Sequence, residues 1–181
     1  SPQMMRAPMF RVLFLACWLK GSPLQEADTR DTDDLALLVD AARASGEIAK
    51  KFFKASPETW DKPGGAGPVT AADLAIDKML NAELRAARPE YGWLSEETED
   101  PTERLDKDAV FIIDPIDGTR AFIAGETSFS HSLAIARNGR VTSAVVFLPI
   151  KDKIYTAADG LASELNGTVI STSDRDIDGA S

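Results

Sequence analysis

Two aspartates, Asp114 and Asp117, directly follow a run of four apolar residues at positions 110–113. Such a run predicts a strand that is buried on both faces, and Pro115 is expected to end it because proline has no N–H to donate. The two carboxylates would then lie at the carboxyl end of a strand, where they could bind a divalent cation.

Gly118 and Thr119 come next and add donors of another kind. Glycine lets backbone N–H groups approach a ligand closely, and threonine supplies a hydroxyl. The segment therefore predicts a metal or phosphate site. The alternative is an ordinary turn, because Asp-Gly is a common turn dipeptide.

A second acidic group, Glu96 and Glu97, follows the short apolar segment 92–94. If that segment is a strand that pairs with the strand at 110–113, the carboxylate of Glu96 lies near Asp114. Three carboxylates so close would repel one another and raise the pKa of one of them unless a cation held them together. The alternative for the two glutamates is a solvated acidic loop.

Three further polar residues each have a structural explanation. Asp73 stands three residues after Thr70, the spacing of a capping box, in which an acid binds the free N–H groups of a helix start. His131 lies in an alternating apolar stretch, which is typical of a half-buried structural histidine. Lys62 is most simply a solvated loop lysine.

The composition limits the classes of function. The 181 residues are 44% hydrophobic and 27% charged, as in a globular domain, and the net charge of -9 argues against a nucleic-acid-binding surface. The lone Cys17 excludes an internal disulfide, and the single histidine, His131, excludes a multi-histidine zinc site. A bound metal should therefore prefer oxygen ligands.

Residues 1–31 differ from the rest of the chain. Arg6 and Arg11 precede an apolar run at 12–19, which resembles an export signal but is short for one and too short to span a membrane. We expect an extension that lies outside the fold, and a domain over residues 32–181.

The remaining pattern predicts two helices followed by strands. Apolar spacing predicts a helix over 33–54 with Thr32 or Asp33 as N-cap, a flexible loop over 57–68 and a second helix that starts at Thr70. Strands are expected over 130–137, 140–148, 153–157, 161–165 and 168–172, with Asn-Gly turns at 138–139 and 166–167. This order predicts an α+β fold in which two helices cover one face of a mostly antiparallel sheet.

The chain resembles the inositol monophosphatase superfamily in three separated motifs: 69–73 (Val-Thr-Ala-Ala-Asp), Glu96-Glu97, and 114–119 (Asp-Pro-Ile-Asp-Gly-Thr). The resemblance covers about residues 33–173. It implies the amino-terminal portion of that layered fold, with the carboxyl-terminal α/β part missing. It also implies a cytoplasmic, lithium-sensitive, Mg²⁺-dependent phosphomonoesterase that forms a homodimer, acts on a small phosphorylated metabolite and binds neither nucleic acid nor membrane.

The resemblance also assigns roles to individual residues. The implied metal ligands are Glu96, Asp114, Asp117 and the backbone carbonyl of Ile116. Glu96, Asp73 and Thr119 would position or deprotonate the attacking water. The N–H groups of Gly118 and Thr119 would hold phosphate oxygens, and Lys62 would be a loop contact near the site.

The chain departs from the family pattern in two ways. Nothing after Ile170 matches the Trp-Asp segment whose aspartate completes the second metal site, so a truncated, catalytically weak metal-binding or assembly module is the alternative of another class. Residues 120–123 (Arg-Ala-Phe-Ile) resemble histidinol-phosphate phosphatases and 3'(2'),5'-bisphosphate nucleotidases. Inositol monophosphate is the expected substrate, and the substrates of those two enzymes are the alternatives.

Overall fold

The computed structural model describes residues 28–65 and 67–171. Three helices and nine strands follow one another in these ranges: α1 (Thr29–Phe52), β1 (Thr59–Asp61), β2 (Pro68–Thr70), α2 (Ala71–Ala87), β3 (Gly92–Ser95), β4 (Ala109–Asp117), α3 (Thr119–Ile123), β5 (Ser130–Arg137), β6 (Arg140–Leu148), β7 (Lys153–Ala158), β8 (Glu164–Leu165) and β9 (Thr168–Val169). Short 3-10 turns cover Pro63–Gly65 and Thr102–Asp106. None of the helices in these ranges is long and apolar enough to cross a membrane.

Seven strands form one sheet in the order β3-β4-β5-β6-β7-β8-β9. β3 and β4 are parallel, and every other neighbouring pair is antiparallel. From β4 onward the strands follow chain order, with α3 in the connection between β4 and β5, and the parallel pair is joined through residues 96–108.

α1 and α2 pack against each other, α1 contacts β5, β6 and β7, and α2 contacts β4. The core between helices and sheet contains fully buried apolar side chains from both layers, among them Leu38, Ile76, Leu80, Leu84, Phe111, Ile113, Leu133 and Ile135. Gly46 lets α1 approach the sheet closely, because a Cβ there would lie 2.6 Å from Cε1 of Phe147. The predicted α+β layering is confirmed.

The Asn-Gly turns are confirmed at both positions. Asn138 and Gly139 join β5 to β6 over the predicted ranges, and Asn166 and Gly167 join β8 to β9. All four turn residues have positive φ, as a type I′ turn requires. β8 and β9 are only two residues long, so this second hairpin is shorter than predicted.

The predicted start of α1 is wrong. The N-cap is Asp28, whose side chain accepts a hydrogen bond from the Arg30 N–H, so the helix begins four or five residues earlier than the caps predicted at Thr32 or Asp33. Asp28, Thr32 and Asp33 are all suitable caps by residue type, so residue type alone did not distinguish them. Residues 1–27 of the expected extension, including Cys17, lie outside the described residues.

The segment predicted as a flexible loop, 57–68, contains regular structure. Thr59–Asp61 pairs antiparallel with Pro68–Thr70, and Lys62 N–H donates to the Gly67 carbonyl at 2.8 Å. The high glycine and proline content predicted a loop, but it marks the connection between the two strands of a short hairpin that leads directly into α2.

The prediction that β4 ends at Pro115 is also wrong. β4 continues to Asp117, with an irregular register: Asp114 pairs with Ser132 and Asp117 with Ser130. Pro115 and Ile116 are therefore left without ladder partners between two paired residues. Proline is tolerated inside the strand because it lies in this bulge.

Candidate functional site

The parallel pair β3 and β4 brings the two acidic motifs together, as predicted. Ser95 lies opposite Ile113, and the Glu96 N–H donates to the Ile113 carbonyl at 3.1 Å. The β3–β4 ladder ends at Ser95 and Ile113, so the next residues, Glu96 and Asp114, lie at neighbouring positions. Glu96 is the more accessible of the two, with 44% of its side chain exposed.

Asp114 is the most deeply buried acid of this motif, with 3% of its surface exposed. Its Oδ1 is buried and has no hydrogen-bond partner among the described residues. Burial raises the pKa of Asp114 far above its ordinary value, and the negative charges of Glu96 and Asp117 raise it further. Burial and Glu96 also raise the pKa of Asp117. These carboxylates repel one another, so a cation would relieve the repulsion.

The turn after Asp117 depends on a glycine. Gly118 has φ +92°, in the left-handed region, and a Cβ there would lie 3.4 Å from the Ser128 carbonyl oxygen. The glycine allows the chain to turn directly into α3, which begins at Thr119. The N–H groups of Gly118 and Thr119 were predicted to bind phosphate oxygens. The turn is compatible with that role, which stays a prediction.

Asp73 caps the start of α2, as its spacing from Thr70 predicted, and it also contacts Thr119 of the candidate site. It is fully buried, and its Oδ2 accepts hydrogen bonds from the N–H of Thr70, at 2.8 Å, and from the Thr70 hydroxyl, which completes the predicted capping box. Its other oxygen, Oδ1, lies 3.3 Å from Oγ1 of Thr119. Thr119 Oγ1 also lies 3.1 Å from the Ile116 carbonyl, so its one hydrogen is shared between two acceptors. Burial raises the pKa of Asp73 despite these donors.

Lys62 is not a solvated loop lysine. Its Nζ lies 2.9 Å from Oε1 of Glu96 and 2.7 Å from Oε1 of Glu97. Burial opposes its charge, but the hydrogen bonds that Nζ donates to the two glutamates, together with their negative charges, outweigh burial and raise the pKa of Lys62. The β1–β2 hairpin thus places an ammonium group directly against the acidic motif.

Glu97 was expected only as part of the Glu96-Glu97 motif, without a role of its own, yet its side chain is buried at the site. Burial raises its pKa to about 7, although Lys62 lowers it. Its N–H donates to Oγ of Ser95, which in turn donates to Asp77. The alternation of β3 could have identified it, because Trp93 and Ser95 are buried and Glu97 is the next residue on that face.

His131 was expected to be half-buried, and it is completely buried. Its Nδ1 lies 2.6 Å from the Pro115 carbonyl oxygen, inside the bulge between Asp114 and Asp117. Burial lowers its pKa to about 4, although the Pro115 carbonyl acts in the opposite direction.

Among the described residues, no group of three or more Asp, Glu, His or Cys side chains is arranged so that it could hold a metal ion. The chemistry of the donors nevertheless fits a hard cation. Asp114 Oδ1 is a buried oxygen without a donor, and Glu96, Asp117 and the Ile116 carbonyl are oxygen ligands of adjacent segments.

Comparison with known proteins agrees with this arrangement. The sequence model of the inositol monophosphatase family matches residues 31–181. Inositol-1-monophosphatase of Rhizobium meliloti (strain 1021) is 36% identical over 133 residues, which are 73% of this chain and 50% of that protein. Nus factor SuhB of Escherichia coli (strain K12) is 33% identical over 147 residues, 80% of this chain and 55% of that protein. The chain spans about half the length of the curated relatives it matches.

Solved structures give the same result. The extragenic suppressor protein SuhB from Bartonella henselae aligns with a TM-score of 0.73 at 30% identity, over 79% of this chain and 55% of that one. The IMPase of Thermotoga maritima aligns with a TM-score of 0.73 at 30% identity, over 78% and 54%. The resemblance seen in the three sequence motifs is therefore confirmed, and this chain belongs to the inositol monophosphatase family.

Proposed function

We propose that the protein is a Mg²⁺-dependent phosphomonoesterase that acts on a small phosphorylated metabolite, with inositol monophosphate as the first substrate to test. The observation that carries this proposal is the buried Asp114 Oδ1, which has no donor among the described residues and lies beside Glu96 and Asp117. Burying a carboxylate in this way is costly unless a cation compensates it.

Glu96, Asp114, Asp117 and the Ile116 carbonyl would hold the metal. When bound, Mg²⁺ ions would make hydroxide available near neutral pH and neutralise the charge that develops on the leaving oxygen. These ligands come from the residue that follows β3 and from the β4 bulge, and Asp73 at the start of α2 reaches the same place through Thr119.

The chain's own residues would handle the proton of the attacking water. When the Thr119 hydroxyl donates to Oδ1 of Asp73, a lone pair of Thr119 Oγ1 is free to accept a hydrogen bond from water. The raised pKa of Asp73 makes its carboxylate a better proton acceptor than a solvated aspartate. In the net reaction, water and the phosphate monoester give the free alcohol and inorganic phosphate.

The phosphate group would bind where positive groups are available. Gly118 and Thr119 present N–H groups at the turn before α3, and the Lys62 ammonium lies against Glu96. Lys62 reduces the repulsion that these carboxylates would exert on a phosphate dianion. The β1–β2 hairpin that carries Lys62 therefore belongs to the proposed substrate site.

Phosphate release tests the proposal. Inositol 1-phosphate, 3'-phosphoadenosine 5'-phosphate and histidinol phosphate are each incubated with the protein, with and without Mg²⁺ and with added Li⁺. We expect release from at least one substrate only with Mg²⁺, inhibition by Li⁺, and about a thousandfold loss in Asp114→Asn, equivalent to about 4 kcal/mol of barrier. Glu47→Gln on the exposed face of α1 is the matched control and should keep full activity. Release from none of the three, or equal activity of Asp114→Asn, would overturn the proposal.

A second candidate is a non-catalytic metal-binding or assembly module. One observation favours it: a relative that is 33% identical to this chain is named a Nus factor. Calorimetric titration with Mg²⁺ discriminates between the candidates. Tight binding at two sites supports the enzyme, whereas weak binding at one site without turnover supports the module. Analytical ultracentrifugation of the same samples tests the homodimer that the family resemblance implies.

A further inference from the structure

His131, the only histidine of the chain, occupies a particular place opposite the acidic bulge. In β5 it lies between Ser130, the ladder partner of Asp117, and Ser132, the ladder partner of Asp114. It is thus the one residue that faces the unpaired stretch of β4, and its Nδ1 lies 2.6 Å from the Pro115 carbonyl oxygen.

Pro115 is buried, and its carbonyl needs a hydrogen-bond donor. The register shift between Asp114 and Asp117 leaves Pro115 without a ladder partner in β5. A buried carbonyl without a partner costs about 1–3 kcal/mol. His131 supplies that donor at the point where the strand departs from regular geometry.

The contacts define the tautomer of the imidazole. A carbonyl only accepts hydrogen bonds, so Nδ1 must carry the hydrogen. Nε2 is buried without a partner among the described residues, and the rings of Phe129 and Phe147 lie 6.2 Å from the imidazole centroid. A second N–H in this apolar environment would lack an acceptor, so the neutral Nδ1–H form fits the site.

We infer that His131 is a positioning residue of the metal-binding segment: its neutral imidazole donates from Nδ1 to the Pro115 carbonyl and fixes the bulge that sets Asp114, Asp117 and the Ile116 carbonyl relative to one another. The inference rests on the proposed function, because it concerns the same ligands. No side chain on the acidic side of the bulge replaces this donor in the described contacts.

The physical consequence concerns metal affinity. Without the donor, the Asp114–Pro115–Ile116 backbone is free to rotate toward a better-solvated arrangement, and the ligand atoms on both sides of Pro115 move with it. Groups that hydrogen-bond to a metal ligand and orient it typically contribute about 10–100-fold to metal affinity. His131 acts through the backbone, so the effect should appear in binding before any chemical step.

The first test compares His131→Leu, which removes the donor, with His131→Asn, whose Nδ2 can take the place of Nδ1. Mg²⁺ affinity is measured by calorimetry on the full chain. We expect His131→Leu to weaken Mg²⁺ binding by about tenfold or more and His131→Asn to restore most of it. Val145→Ala is the matched control, because it also opens the core beside β5 yet lies in β6, away from the bulge. It should lower stability and leave Mg²⁺ affinity unchanged.

Wild-type affinity in His131→Leu, or no recovery in His131→Asn, would overturn the inference. The second test is independent of metal: the ¹⁵N spectrum of the single histidine should show the Nδ1–H tautomer, unchanged between about pH 5.5 and pH 8. An Nε2–H tautomer, or a titration near the ordinary histidine value, would overturn the inference even if the His131→Leu variant failed to fold. If the wild type binds no Mg²⁺, the proposed function fails, and the nitrogen spectrum alone decides whether His131 holds the bulge.

Discussion

Two buried aspartates at opposite ends of the fold show how differently a carboxylate can be accommodated. Asp34 in α1 is completely buried, and three donors surround it. Arg88 Nε lies 2.9 Å from Oδ1, while the Tyr91 hydroxyl, at 2.7 Å, and Arg137 Nη2, at 3.2 Å, contact Oδ2. Two guanidinium groups and a phenol thus compensate this charge, and they tie α1 to the end of α2 and to β5.

Asp114 is buried almost as deeply, but its neighbours are acids. One of its oxygens has no donor among the described residues, and Glu96 and Asp117 add negative charge. Burial alone therefore does not mark a functional aspartate. The distinguishing property is whether the surrounding protein supplies the compensating charge, and at Asp114 that charge is left to a ligand.

The largest expected effect comes from breaking the compensated cluster. Asp34→Asn leaves Arg88 and Arg137 without their buried counter-charge, which should lower the free energy of unfolding by about 3–5 kcal/mol. Urea denaturation measures the loss, with the exposed Glu47→Gln as control. Mg²⁺ affinity of the folded variant should stay unchanged. A cost below about 1 kcal/mol would mean that the cluster is a surface-like ion pair.

The next effect is the pH dependence of stability that comes from His131, which is buried in its neutral form. The pKa of His131 is lowered to about 4 in the folded protein, whereas the unfolded value is ordinary. Between these values only the unfolded chain takes up the proton, so stability falls as pH decreases from about 6.5 to about 4, by about 3 kcal/mol. Urea titrations at about pH 7 and pH 4.5 of wild type and His131→Leu isolate this share. Parallel pH dependences in the two proteins would contradict it.

Asp114→Asn should have a smaller effect of the opposite sign on the metal-free protein. The folded-state pKa of Asp114 is raised to about 9, so at neutral pH this acid must take up a proton when the metal-free chain folds, which costs stability, and the amide removes that cost. We expect the metal-free variant to be about 1–2 kcal/mol more stable than wild type at pH 8. Thermal unfolding in EDTA measures this gain, and adding Mg²⁺ should raise the melting temperature of the wild type only. A destabilised variant would show that Asp114 is compensated after all.

The smallest effect on stability is expected at Lys62, the ammonium group that contacts Glu96 and Glu97. Lys62→Met leaves Glu97 buried without its ammonium partner, which should cost about 1 kcal/mol at pH 8. The cost should shrink at pH 6, because Glu97, whose pKa is about 7, then takes up a proton. Urea denaturation at both values tests this, with Lys50→Met on the exposed face of α1 as control. An identical loss at pH 6 and pH 8 would assign the effect to packing of the lysine stem.

Much of the fold was predictable because local signals and tertiary contacts agree. The Asn-Gly turn at residues 138–139 fixed both β5 and β6, and the Thr70 capping box fixed the start of α2. The failures lie where neighbours overrule local preference. Pro115 ends most strands, but here it lies in a bulge, its carbonyl contacts His131, and the ladder resumes at Asp117. Glycine and proline content predicted a loop over 57–68, yet pairing across the turn makes it a hairpin.

The candidate site divides in the same way. The residue types of the motifs, and the glycine at 118, determined by themselves that oxygen ligands and a tight turn follow a buried strand. Which charges are compensated was decided only by the tertiary structure: Lys62 contacts Glu96 and Glu97, Arg88 and Arg137 contact Asp34, and Asp114 Oδ1 receives no donor among the described residues. The physical reason is that a side chain's charge state depends on burial and on partners distant in the chain, and neither can be read from local sequence.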